Sequence, residues 1–158
     1  MTIYIDLDDT AAHYTKAKNE HILANPTQPY PQSEYGFFAN LEPIEGSIET
    51  IKWLMSEGHE VYFLTAPSIK NLLCYSDKAF WVKKYFGEEM LLRLIICADK
   101  SLLNGDYLID DCAKGRGQDG FVGTFFHFGN SHNWASIRGY FEKLKSNAPE
   151  VSYIGVVG

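Results

Sequence analysis

What the sequence has little of narrows its function before anything else does. Its three cysteines, Cys74, Cys97 and Cys112, are odd in number and show no CxxC spacing, which fits free thiols in a reducing cytoplasm. The five histidines show no ligand spacing. No apolar run reaches membrane-spanning length, and the opening residues lack the basic and apolar regions of a secretory leader, so neither membrane nor leader is expected. Positive charge is scarce: 14 Lys and Arg stand against 20 Asp and Glu, a net charge of −6. Proteins that grip duplex nucleic acid neutralise phosphates with clustered Lys and Arg, so that class is excluded. A small anionic substrate stays allowed, because one metal ion and one or two lysines reverse the sign locally.

What is present points to one globular domain. The chain has 158 residues, 46% hydrophobic and 15% aromatic, enough to bury a sizeable core. "TIYIDL" (2–7) reads as a buried strand. Residues 11–24 have helical character, and the prolines of "NPTQPYPQ" stop it. The stretch 11–45 as a whole looks like a small helical cap inserted after the first strand. A helix over 47–57 has Ser47 as its expected N-cap and Gly58 as its stop. "EVYFLTAPS" (60–68) is the second strand. Ser76 opens and Gly87 closes the next helix, strands follow near 93–97, 106–111 and 123–129, and Asn133 opens a last helix. Strands alternating with helices predict an α/β fold with a parallel central sheet covered on both faces. The core then comprises 1–10 and 46–145, and the tail 146–158 has no assigned role.

The motif that needs explaining is "IDLDDT" (5–10), an apolar strand running into three mutually repelling carboxylates, Asp6, Asp8 and Asp9. In open parallel sheets ligands bind beyond the carboxyl ends of the strands. Those ends carry Asp6 and Asp8, then Thr65, then Asp110 and Asp111, and "ADKS" brings Lys100 to the same rim. Hard carboxylate oxygens suit Mg²⁺, which commonly joins one or two carboxylates to a substrate phosphate. Lys100 and the Thr65 hydroxyl would then hold the phosphoryl group while Asp6 attacks it and Asp8 serves as acid and base. Lys78 is either part of a helix face or a phosphate contact. Asp9 reads as a loop carboxylate, His13 as incidental, Trp53 and Trp81 as core, and Cys112 as structural.

Taken in order, DLDDT (6–10), LTAPS (64–68), Lys100 and LIDDC (108–112) resemble the four motifs of the haloacid dehalogenase superfamily of phosphotransferases. The resemblance implies a Rossmann-like three-layer sandwich. It makes Asp6 the nucleophile and a Mg²⁺ ligand, and Asp8 the acid/base and a ligand through its main-chain carbonyl. Thr65, Ala66 and Lys100 become phosphate-binding, and Asp110 and Asp111 complete the metal site. More narrowly, "FFANLEPIEGSIE", "YSDKAFWVKKYFG" and "ICADKSLLNGDYLIDD" resemble the 5′(3′)-deoxyribonucleotidases. That implies a phosphomonoesterase for deoxynucleoside monophosphates, with Tyr14, Phe37, Phe38 and Lys78 contacting substrate. The cap is shorter than in the animal enzymes, and Thr10 replaces a valine in the first motif. A phosphatase for another small ester, such as a sugar phosphate, and a phospho-aspartate receiver domain are the alternatives, and homodimerisation is left open.

Overall fold

The computed structural model describes residues 1–147, so all but the first two residues of the tail 146–158 lie outside the described residues. Five parallel strands, β1 (Thr2–Ile5), β2 (Glu60–Thr65), β3 (Leu94–Ile96), β4 (Asn104–Asp110) and β5 (Val122–His127), form one sheet in the order β3-β2-β1-β4-β5. Chain order reverses direction at the β1/β4 boundary. There the carboxyl ends of neighbouring strands leave a crevice, where parallel sheets place their ligands.

Alternation along each strand sorts the side chains cleanly. Ile3, Ile5, Val61, Phe63, Tyr107, Ile109 and Phe126 point to one face. Tyr4, Tyr62, Leu64, Ile95, Leu108 and Phe125 point to the other. Helices α2 (Ser47–Ser56), α3 (Cys74–Phe86) and α4 (Trp134–Ser146) bury Ile51, Leu54, Trp81, Val82, Ile137 and Phe141 in the first face's core. The layer over the second face is thin, with Leu103 and Phe121 among its few covering residues. The connections β3–β4 and β4–β5 contain only short 3₁₀ turns, at Lys100–Leu102 and Gln118–Gly120.

Helix starts depart from expectation twice. The N-cap of α2 is Gly46 at φ 79°, a left-handed conformation that glycine adopts freely. Ser47 is instead buried inside the first turn, where its hydroxyl donates to the Ala11 carbonyl at 3.0 Å. Helix α3 begins at Cys74 rather than Ser76, because Asn71 already ends the preceding loop: its Oδ1 accepts from Leu73 N at 2.8 Å and its carbonyl from Cys74 N at 3.1 Å. Asn133 does open α4, as half of a reciprocal pair with Ser136.

The segment between β1 and α2 contains one α-helix, α1 (Tyr14–Ala24), and two 3₁₀ turns, Pro31–Ser33 and Phe38–Asn40. No residue of α1 is fully buried, so its position depends on neighbours. Tyr14 stacks on Phe38 with ring centres 5.9 Å apart and meets Phe37 edge-on at 5.8 Å. The returning chain is tied to α3 by Trp81, whose indole N–H donates to the Leu41 carbonyl at 2.9 Å.

Candidate active site

Asp6 follows β1 directly, and its N–H donates to Ile109 O at 2.9 Å, extending the β1–β4 ladder into the crevice. That fixes the Asp6 and Asp110 carboxyls side by side. Lys100, on the 3₁₀ turn between β3 and β4, reaches both: its ammonium donates to Asp6 Oδ1 at 2.8 Å and to Asp110 Oδ2. Lys100 and Asp110 are each only 1% exposed. Burial alone would lower the Lys100 pKa, but Asp6 and Asp110 outweigh it and hold it above the ordinary lysine value. Asp110 is pushed upward, by burial first and by Asp6 second, against the pull of Lys100.

Asp8, two residues beyond Asp6, belongs to a separate network. Its Oδ2 accepts from Lys78 at 2.9 Å, and the same ammonium donates to Thr65 Oγ1 at 2.7 Å and to Ala66 O at 2.6 Å. All three ammonium hydrogens are thereby used. Asp8 Oδ1 is buried with no hydrogen-bond partner. Burial raises the Asp8 pKa, Lys78 opposes the rise, and the Asp6 charge adds to it. Burial that favours the protonated form equips the Asp8 carboxyl to give up a proton.

Asp111 is positioned through its backbone. Its N–H donates to Thr10 Oγ1 at 3.0 Å, and its carbonyl accepts from His127 Nε2 at 2.8 Å. Thr10 is in turn fixed by the Trp134 indole, which donates to the Thr10 carbonyl at 3.0 Å. Burial first, then the charges of Asp6 and Asp110, lift the Asp111 pKa to about 6.

These groups open onto a cavity of about 390 Å³, whose walls include Asp6, Asp8, Asp110 and Asp111 together with Tyr14 and Phe38. Ala66 and Lys100 also line it. Three sequence candidates stand elsewhere. Phe37 packs inside the cap against Tyr14, Phe38 and His21, because the 3₁₀ turn directs adjacent residues to different sides. Thr65 is fully buried, its hydroxyl taken by Lys78. Lys78 lies beneath the cavity, 1% exposed, and orients Asp8 and Thr65 rather than facing a ligand. A second hollow, of about 480 Å³, lies at the amino edge of the sheet by Met1, Trp53 and His59. It gathers no acidic cluster, only the ion pair Glu57–Lys145.

Asp9 does more than a loop carboxylate would. It adopts φ 54° and accepts from the Thr15 N–H at 2.8 Å, satisfying one of the free donors at the start of α1. The sequence reading also passed over Gln118. This 4% exposed side chain donates to both Asp110 oxygens, at 3.3 and 3.2 Å, and accepts from Arg116 N at 2.8 Å. A buried amide facing an acid has no local sequence signature, so nothing in "GRGQDG" marked it.

The donor set suits a hard cation. Ligand atoms of Asp110, Asp111 and Cys112 lie within 4.8 Å of one another, and Asp6 joins Asp110 through Lys100. Burial and the Asp111 carboxylate push the Cys112 thiol up to about 12, so it stays protonated and the useful donors are carboxylate oxygens, the preference of Mg²⁺ or Ca²⁺. The unpartnered Asp8 Oδ1 shows that the acidic site is short of positive charge or protons.

A five-stranded parallel sheet in this order, with an acid two residues beyond another at the end of β1, a threonine ending β2, a buried lysine before β4 and an acidic pair at the end of that strand, defines the class: the haloacid dehalogenase superfamily. Within it, residues 27–140 match the family described as 5′ nucleotidase, deoxy (pyrimidine), cytosolic type C protein, and the chain belongs to that family. Among similar proteins, one from Vibrio phage KVP40, named as a candidate 5′(3′)-deoxyribonucleotidase, is 29% identical over 142 residues, 87% of this chain and 82% of that protein. The human 5′(3′)-deoxyribonucleotidase, cytosolic type, is 35% identical over 85 residues, 53% of this chain and 42% of its own. A mimivirus protein named as another candidate 5′(3′)-deoxyribonucleotidase is 41% identical over 92 residues, 54% of this chain and 42% of its own. The match therefore spans less than half the length of the human and mimivirus relatives. No helix among the described residues is long and apolar enough to cross a membrane.

Proposed function

We propose that this protein is a Mg²⁺-dependent phosphomonoesterase that removes phosphate from deoxynucleoside monophosphates through an aspartyl-phosphate. The observation that carries the reading is the division of labour at the rim. Asp6 and Asp110 share Lys100, whereas Asp8 is held apart by Lys78 with one oxygen unpartnered.

In this scheme the Asp6 carboxylate attacks phosphorus, and Asp8 passes its proton to the departing nucleoside oxygen. Asp8, now ionised, takes a proton from the water that attacks the acyl phosphate, which frees inorganic phosphate and restores both acids. A divalent cation held by Asp6, Asp110, Asp111 and the Asp8 main-chain carbonyl would supply the charge neutralisation that lets an anion approach a phosphate. Lys100 bridges the Asp6 and Asp110 carboxyls, Ala66 lines the wall where phosphate would rest, and Thr65 is buried with its hydroxyl held by Lys78. Tyr14 and Phe38 offer an aromatic wall above Asp6 that suits a nucleobase. The family and the relatives' names agree with this substrate class. A cytoplasmic site of action is the reading that goes with the human relative of cytosolic type, whereas another human relative, 37% identical over 76 residues, is named as mitochondrial.

The test is phosphate release from dUMP, dTMP and purine counterparts alongside several sugar phosphates. Release is expected with Mg²⁺, to be lost with a chelator and in Asp6→Asn, and to favour nucleotides. Equal rates on sugar phosphates would replace the nucleotidase reading by a general phosphatase, and no release from any ester would remove both.

A further inference from the structure

Lys100 and Asp110 form a buried pair, and the connection between β4 and β5 closes around it in a ring of hydrogen bonds. The Lys100 ammonium donates to Asp110 Oδ2, and Lys100 N donates to Arg116 O at 2.7 Å. Arg116 N donates to Gln118 Oε1 at 2.8 Å, and Gln118 Nε2 completes the ring on the Asp110 oxygens, at 3.3 and 3.2 Å. A single stretch of chain thus grips the lysine by its main chain and the acid by a side chain.

The ring admits one orientation of the Gln118 amide. Arg116 N–H is a donor, so it meets the amide oxygen, and that turns the NH₂ group onto the carboxylate. The reverse orientation would set donor against donor at one end and acceptor against acceptor at the other. Packing holds the turn that carries Gln118 in place. Gly117, at φ 79°, starts that turn, and a Cβ there would come within 2.0 Å of Asp99 Oδ1 and 2.7 Å of Ser101 N. Only glycine lets the two turns lie so close. The other donors to Asp110 each serve one oxygen: Cys112 N bonds Oδ1 at 2.8 Å, and Lys100 bonds Oδ2. Gln118 spans both oxygens, which fixes the plane of the carboxyl group. It is buried and uncharged, and the reaction scheme gives it no step of its own.

We infer that Gln118 is a positioning residue for the metal centre, fixing the plane in which the Asp110 carboxylate, with Lys100 on it, stands beside Asp6 and Asp111. The inference rests on the metal-dependent phosphatase reading and names the residue that preorganises its acidic cluster. A partner that hydrogen-bonds a metal-site carboxylate sets its direction before the cation arrives, and losing such a partner typically costs about 10- to 100-fold in metal affinity.

Titrating the metal-free protein with Mn²⁺, a stand-in for Mg²⁺ whose free-ion electron paramagnetic resonance signal disappears on binding, tests this without turnover. Gln118→Met keeps the side-chain length and removes the amide, and it is expected to weaken Mn²⁺ binding about 10- to 100-fold. Gln118→Asn, whose amide falls a methylene short, is expected to do the same and serves where the Met variant does not fold. Asp119→Asn, at the exposed neighbour in the same turn, is expected to match the wild type. With a deoxynucleoside monophosphate, Gln118→Met is expected to need correspondingly more Mg²⁺ for half-maximal rate. Saturating Mg²⁺ should restore most of kcat, with KM for the nucleotide nearly unchanged. Wild-type Mn²⁺ affinity in either folded Gln118 variant, an equal loss in Asp119→Asn, no Mn²⁺ binding by the wild type, or a kcat loss that saturating Mg²⁺ leaves in place would overturn the assignment. A wild type with a Gln118-dependent Mn²⁺ site that hydrolyses no ester would leave the assignment standing and remove the phosphatase reading alone.

Discussion

Asp6 and Asp8 are chemically identical and two positions apart, and the fold gives them opposite duties through their neighbours. Asp6 faces an ammonium shared with Asp110, while Asp8 is desolvated and keeps an oxygen without a partner. Asp6→Asn is expected to abolish phosphate release while leaving the melting temperature near that of the wild type. Asp8→Asn should keep cation binding and lose roughly 10²–10⁴ in kcat; turnover within a few fold of wild type would remove its acid/base role. Lys100 has a structural duty as well. Breaking a buried pair leaves charge uncompensated, at about 3–5 kcal/mol, so Lys100→Ala should unfold at markedly lower denaturant, with added Mg²⁺ recovering part of the loss. Asp111 supplies a pH signature. Its folded-state pKa of about 6 lies above the ordinary 3.8, so the folded protein holds an extra proton between these values. Without metal, stability should therefore fall as pH rises through that window. Thermal melts in chelator should show the decline, and it should shrink in Asp111→Asn and when a divalent cation is added.

At the scale of elements, α3 links the site to its roof. Lys78 sets Asp8, Trp81 bonds the Leu41 carbonyl, and Asp77, just before Lys78, turns into the cap. The Gly36 and Phe38 N–H groups face the Asp77 carboxyl, neither closing a full hydrogen bond, and Oδ2 is buried without a partner. Burial lifts the Asp77 pKa while those N–H groups hold it back. Because Phe38 lines the cavity, Asp77→Ala should raise KM more than it lowers kcat, and destabilise by about 1–3 kcal/mol. An unchanged KM would show that the cap return is held without it. The helix boundaries show what local sequence conveys. Asn133 alone announced α4; its partner Ser136, a neighbour in the chain, is added by the structure. The start of α3 was misread because Asn71 turns the chain just upstream of it, and Asn71 is itself tied by its side-chain amide, which donates to the distant Glu34 carbonyl.

For the whole molecule, the rim was legible because strands carry their carboxyl-end residues with them wherever the sheet forms. Asp6, Thr65 and Asp110 arrived where period-two patterning and strand order send them. Pairings across long sequence distance were not legible. Nothing in the sequence said that Lys78 would take Asp8 or that Lys100 would sit between two acids. The Lys100–Asp6 and Asp111–Thr10 contacts follow from β1 and β4 lying side by side, which brings residues about a hundred positions apart together. The two-faced sheet was legible as a class, but the thin second layer depends on connections too short for a helix. The most direct test of the central claim is a crystal structure grown with Mg²⁺ and beryllium fluoride, which mimics a phosphoryl group on a carboxylate. The beryllium is expected on an Asp6 oxygen, with Mg²⁺ about 2.1 Å from Asp6 and from Asp110 or Asp111. Beryllium fluoride bound elsewhere, or an Asp6 carboxylate left bare beside an occupied metal site, would contradict it.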